Sequence, residues 1–185
     1  RAFEAAADRL PGLLATTGYL PDGLPRLREL LADQYSADGL PTDPGQIIVT
    51  NGAMGAISLV ARCLLTPGSR TVVEGVTYPH GADAFTVNGG RLSALPVGER
   101  PWDGLDDVLA TGRHAAAYVV PDFHNPTGAI MSDDERRAWA RSLIRHGAIP
   151  VVDESLRDVN LDGVTLPPSM AHHDPRAIVV GSSSK

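Results

Sequence analysis

At 185 residues, 43% hydrophobic and 21% charged, the chain can bury one core and has the balance of a soluble globular domain. A net charge of −6 argues against a nucleic-acid-binding face within it, and a single cysteine, Cys63, excludes a disulfide framework and points to a reducing compartment. No apolar run approaches the ~18 residues of a membrane span. The opening Arg1-Ala2-Phe3-Glu4-Ala5 has no signal-peptide pattern, so cytoplasm is the expected location.

The chain opens inside a helical pattern. Pro25 can occupy the first turn of a helix, and Leu27, Leu30, Leu31 and Tyr35 follow at helical spacing. Gln46-Ile47-Ile48-Val49-Thr50 reads as a buried strand, and after Asn51-Gly52 a helix is expected from Ala53 to Leu65, stopped by Pro67-Gly68. Thr71–Glu74 and Arg91–Val97 read as strands around a helix from about Gly81 to Val87. Ala115–Val120 is the next strand. Ser132-Asp133-Asp134-Glu135 is a capping box that starts a helix to His146, with Gly147 as its stop. Strands Ala148–Asp153 and Ala177–Val180 complete the set. Short apolar strands alternating with helices predict an α/β fold: three layers, α/β/α, around a mostly parallel sheet. Both ends read as interruptions of a longer protein, with residues 1–185 forming one large domain.

Ligands of such sheets bind beyond the carboxyl ends of the strands, and the informative residues fall there. Small residues in Thr50-Asn51-Gly52-Ala53-Met54-Gly55 would let backbone N–H groups and a helix N-terminus approach a phosphate. A plain strand–helix turn is the alternative. Asn125, in His124-Asn125-Pro126-Thr127-Gly128, is held extended by Pro126 and can point its amide into the crevice; His124 could enter with it. Asp153 ends an apolar strand, as either a functional carboxylate or a cap of the next turn. Glu154 faces the other way, solvated or arginine-paired. Tyr78 could stack on a planar ring or simply fill the core. His80, His114, His172 and His173 have no metal-ligand spacing. The one lysine, Lys185, ends Ile178-Val179-Val180-Gly181-Ser182-Ser183-Ser184-Lys185, an apolar strand delivering an amine. Amine, carboxylate, amide donor, aromatic lid and phosphate cradle are together what pyridoxal phosphate requires.

With these motifs in this order, the chain resembles the fold-type I, class I/II aminotransferases, which use pyridoxal 5′-phosphate. Gly18-Tyr19-Leu20-Pro21-Asp22-Gly23-Leu24-Pro25-Arg26-Leu27-Arg28 is similar to the family's entry segment and Asn51–Ile57 to its phosphate loop. Asn125-Pro126-Thr127-Gly128, Asp153 and Ser182-x-x-Lys185 match its tetrapeptide, its pyridine aspartate and its lysine motif. The resemblance implies that Lys185 is catalytic, holding the cofactor as a Schiff base and moving a proton. Asp153 would bond the pyridine nitrogen, Asn125 the phenolate oxygen, and Tyr78 would stack on the ring. Gly52, Ala53, Met54 and Ser182 would hold the phosphate. Tyr19 would reach the phosphate of the neighbouring protomer in a homodimer with shared sites.

Two segments, Arg145–Leu156 and Met170–Arg176, resemble most the aminotransferase-like domains of GntR/MocR-type transcriptional regulators. There the fold senses the cofactor or a small amine, and DNA is bound only by a separate winged-helix domain outside this chain. A free-standing aminotransferase acting on an amino acid and a 2-oxo acid is the alternative, and another fold-type I activity, a lyase or decarboxylase, would share the same residues. The family often carries Asp-x-x-Tyr, where this chain has Leu156. That donor is absent or comes from elsewhere.

Overall fold

The structure, a computed structural model, describes residues 2–8, 10–14 and 17–184. Five strands, β1 (Arg70–Val73), β2 (Arg91–Ala94), β3 (Ala116–Val119), β4 (Ile149–Asp153) and β5 (Ile178–Val180), form one sheet in the order β2-β1-β3-β4-β5. Every pairing is parallel. The helices are α1 (Ala2–Ala7), α2 (Leu10–Leu14), α3 (Pro25–Ala37), α4 (Gly52–Leu64), α5 (Pro79–Val87), α6 (Leu105–Ala110) and α7 (Asp133–His146).

Strand alternation divides the core in two. Ala116, Tyr118, Val120, Val151 and Val180 face α4 and α5, where Ile57, Ala61 and Phe85 pack on them. Ala117, Val119 and Val152 face the other way, onto Leu105 and Leu109 of α6 and Trp139 and Leu143 of α7. The predicted three layers are present. The β1-to-β2 crossover uses α5 on one face, whereas the return to β3 uses α6 on the opposite face. The winding therefore reverses between β1 and β3, and a crevice opens there beyond the strand ends.

The capping box forms as read. Ser132 Oγ accepts the Glu135 N–H, the Glu135 carboxylate accepts the Ser132 N–H at 2.7 Å, and Gly147 closes α7 in the left-handed conformation. Glu135 also takes Arg100 at 3.1 Å and the Trp102 indole N–H at 2.9 Å. Its partial burial opposes ionisation, but the bonds from Trp102, Arg100 and Ser132 outweigh it and lower the pKa to about 2. A carboxyl depressed in the folded state contributes stability that is fully present above its ordinary pKa of 4.5 and is lost as pH falls toward about 2. A Glu135→Gln protein is thus expected to be less stable than wild type at neutral pH and to lose part of its acid sensitivity between those values. Thermal melts at a series of pH values measure this; parallel curves would refute it.

One predicted strand is absent. Residues 47–50 are in no sheet, and Ile48 is 58% exposed. Their backbone partners are local: Val49 N–H donates to Asp22 O at 3.0 Å and the Arg28 guanidinium takes Ile47 O at 2.8 Å. Just before them, Asp43 caps a 3-10 turn at Pro44–Gln46. The apolar run has strand character, but its hydrogen bonds go to a turn and an arginine instead of a neighbouring strand.

Candidate functional site

Asp153 is the last residue of β4 and 6% exposed, on the face shared with Val151 and Tyr118. Its Oδ2 accepts the Tyr118 hydroxyl at 2.7 Å and its Oδ1 accepts the Ser155 N–H at 3.0 Å. The turn-capping role is therefore real, and each oxygen keeps a lone pair for a further donor. Burial, then the nearby Asp153 charge, pushes the Tyr118 phenol far above its usual range, so it stays protonated and acts as a donor. Gly81 in the first turn of α5 makes room for this contact, because a Cβ there would collide with the Tyr118 hydroxyl.

Glu154, one residue on, lies on the opposite side and is not solvated. It is 6% exposed; burial raises its carboxyl, and a hydrogen bond with Ser169, then the charges of Arg157 and Arg136, oppose that rise.

The N-terminus of α4 stands over the same face. Ala53 and Met54 pack against the cluster that holds Tyr118 and Val180. Gly52 has a φ of +74°, suited to glycine, and Asn51 makes no side-chain cap. Asn51 therefore leaves the first-turn N–H groups of Ala53 and Met54 without a cap among the described residues, which is the condition for receiving an anion.

Tyr78 is half-buried at the N-cap of α5, three residues before Gly81, with its ring edge-on to His80 at 5.6 Å. Asn125 is exposed at the tip of the loop after β3. That loop is anchored on both sides. Asp122, fully buried, takes Arg136 at 2.6 Å and Arg157 at 2.9 Å, while His124 lies buried against Glu74. Ser182, beyond β5, is half-buried and its hydroxyl lies 2.8 Å from that of Ser184.

Asp153, Tyr78, Asn125, Ala53, Met54 and Ser182 thus all lie at the carboxyl end of one parallel sheet. Tyr19 does not join them: it is 80% exposed on a segment without regular structure. Lys185 lies outside the described residues.

A cleft of about 260 Å³ adjoins these loops, lined in part by Gly75, Val76, Pro96 and Thr127. A larger cleft, about 450 Å³, is lined by Asp38, Arg157 and Asp158 among others and contains none of the site residues expected from the sequence.

Sequence reasoning missed Tyr118, Glu74 and the Asp122–Arg136–Arg157 cluster. Glu74 carried the same signal as Asp153, a carboxylate closing an apolar strand. Tyr118 carried a weaker one, a polar-tipped side chain inside an apolar run.

A buried carboxylate, an uncapped helix N-terminus and an anchored loop at the carboxyl ends of a parallel sheet are the layout with which α/β domains take ligands. The chain belongs to the family described as aminotransferase class I and II, whose model matches residues 4–185. It is 29% identical over 157 residues to the 2-aminoadipate transaminase of Thermus thermophilus, covering 82% of this chain and 40% of that protein. It is equally 29% identical over 182 residues to the HTH-type transcriptional regulator YisV of Bacillus subtilis, covering 95% of this chain and 37% of the regulator.

Among solved structures, LysN, the α-aminoadipate aminotransferase of Thermus thermophilus complexed with N-(5′-phosphopyridoxyl)-L-leucine, matches with a TM-score of 0.81 and 28% identity over 98% of this chain and 49% of LysN. N-Succinyldiaminopimelate aminotransferase from Mycobacterium tuberculosis matches with the same TM-score and 26% identity, over 99% of this chain and 50% of that one. The chain thus spans half or less of the length of these relatives.

Proposed function

We propose that this chain is a pyridoxal-phosphate-binding aminotransferase-like domain that serves as the cofactor- or effector-sensing part of a GntR/MocR-type transcriptional regulator. The observation that carries the cofactor is Asp153: a buried carboxylate with lone pairs to spare, on the same face of the sheet as an uncapped helix N-terminus. Bound pyridoxal phosphate would supply an aldehyde for amines and a ring that draws electrons from the attached carbon.

The chain's own residues supply the rest. Lys185 offers the amine that holds the cofactor and carries a proton. Asp153 accepts from the pyridine nitrogen, with Tyr118 fixing the carboxylate's orientation. Asn125 donates to the phenolate oxygen, and Tyr78 covers the ring and excludes water. The N–H groups of Ala53 and Met54, the Gly52 turn and the Ser182 hydroxyl hold the phosphate. Tyr19, exposed on its segment, suits a contact with the phosphate of a second protomer in a homodimer.

The regulatory reading is supported by similarity to YisV and, at 24% identity over 163 residues, to the HTH-type regulator NorG of Staphylococcus aureus. In it, a small amine or amino acid is the effector and DNA is met by a separate domain. No helix among the described residues is long and apolar enough to cross a membrane. The single cysteine supports a reducing compartment, and the cytoplasm is the location we propose. The equal identity to 2-aminoadipate transaminase supports a second reading, a free-standing aminotransferase.

Titrating the purified protein with pyridoxal phosphate, then with amino acids, separates the two. A new visible absorbance band that amino acids perturb without catalytic formation of 2-oxo acid is expected of the sensor. Sustained 2-oxo acid production would instead establish the aminotransferase. No visible band at saturating pyridoxal phosphate would overturn both.

A further inference from the structure

Glu74 has no role in the site as assembled so far, yet it is 1% exposed and stands at the reversal point between β1 and β3. Both of its oxygens are engaged by the two flanking loops. Oε1 accepts the Val120 N–H at 2.9 Å, and Oε2 accepts the Thr77 hydroxyl at 2.6 Å. His124 Nε2 stands 3.4 Å from the same Oε2, with both side chains fully buried. Thr77 precedes Tyr78 and His124 precedes Asn125, so one carboxylate touches the neighbour of each side chain meant to meet the cofactor ring.

The His124 ring sits between Glu74 and the Asn125 turn. At that separation His124 Nε2 makes no hydrogen bond, and it has no other partner among the described residues, so Oε2 is the polar atom it packs against. Nδ1 pairs with the Thr127 hydroxyl at 2.8 Å, inside the Asn125-Pro126-Thr127-Gly128 turn. The His124 ring is steadied from another side by Trp102, edge-on with centroids 6.0 Å apart. Burying a charge is costly unless its geometry is satisfied. An apolar side chain at this position would leave the buried Val120 N–H without its acceptor.

We propose that Glu74 is a positioning residue that sets the separation between the Tyr78 loop and the Asn125 loop, so that a flat ring between them meets both. This rests on the reading of the site as one for pyridoxal phosphate. The test is a double-mutant cycle with Thr77→Val, which removes the hydroxyl that bonds Oε2, and His124→Phe, which removes the imidazole beside Oε2 together with its Thr127 contact. The readouts are pyridoxal phosphate affinity and the visible circular dichroism of the bound cofactor, which reports its orientation. Far-UV dichroism of the cofactor-free proteins controls for folding.

Each single variant is expected to bind about fivefold more weakly, the size of one net hydrogen bond, with a reduced visible dichroic signal. The double variant is expected to lose less than the product of the two, because both act through one oxygen. Wild-type affinity and dichroism in both single variants, or losses that multiply as for independent sites, would overturn the role of Glu74 alone. A wild-type protein that binds no pyridoxal phosphate would overturn the reading of the site beneath it. Thr77 is half-buried and valine is its close isostere, so Thr77→Val decides alone if His124→Phe does not fold.

Discussion

Lys185→Ala, treated with pyridoxal phosphate and then borohydride, is expected to retain no covalent cofactor, whereas the wild type is expected to retain one equivalent per chain. The basis is chemical exclusivity. Lys185 is the one lysine among 185 residues, the other 15 basic residues being arginines. A guanidinium stays protonated and does not form Schiff bases at ordinary pH, whereas an amine can when desolvated. No other side-chain amine of this chain can substitute. Mass spectrometry of the reduced protein gives the answer directly. A borohydride-stable adduct that survives in Lys185→Ala would remove this lysine from the site.

The second large effect is expected at Asp153. An asparagine there can still accept from Tyr118 or Ser155, so the fold and the turn after β4 should survive. What goes is the negative charge that, in the proposed site, would face the pyridine nitrogen. Hydrogen bonds to charged groups contribute roughly 1.5–3 kcal/mol, so Asp153→Asn should weaken cofactor binding on the order of ten- to a hundredfold. Tyr118→Phe separates charge from orientation: it keeps the carboxylate, removes one donor, and should cost only about fivefold. Equilibrium titration of the three proteins, with far-UV dichroism as a control, measures this series. Equal affinities for wild type and Asp153→Asn would reduce Asp153 to a turn cap.

Where local chemistry decides an outcome, the chain announces it. The Ser132–Glu135 box and Gly147 fix both ends of α7, and the apolar runs of β1, β3 and β4 fall within a residue or two of their expected limits. The six residues of α6 gave no such notice, since so short a helix has barely a period to show and Gly104 in place of a polar cap hides its start. Residues 47–50 show the converse. Their β-branched run states a willingness to pair, while the partner is chosen by Asp22 and Arg28, which lie more than a turn of chain away. The site divides on the same line. Asp153 and Asn125 stand in recognisable local settings. The Tyr118–Asp153 bond and the Glu74–His124 contact join residues from different strands and become visible only when the sheet assembles.

That every strand pair is parallel has a consequence for how the protein matures. Val73 sits beside Tyr118, and Asp153 beside Val180, each pair separated by a long crossover. Such contacts form slowly, because the loop must close before any pairing rewards it. The residues that converge on the crevice are spread from Ala53 to Ser182, so no short stretch of the chain contains the crevice whole. A ligand seated there would bind the finished sheet alone and stabilise it by mass action. Occupancy would then serve as a gauge of completed assembly, falling with any lesion that loosens the sheet, even one remote from the loops.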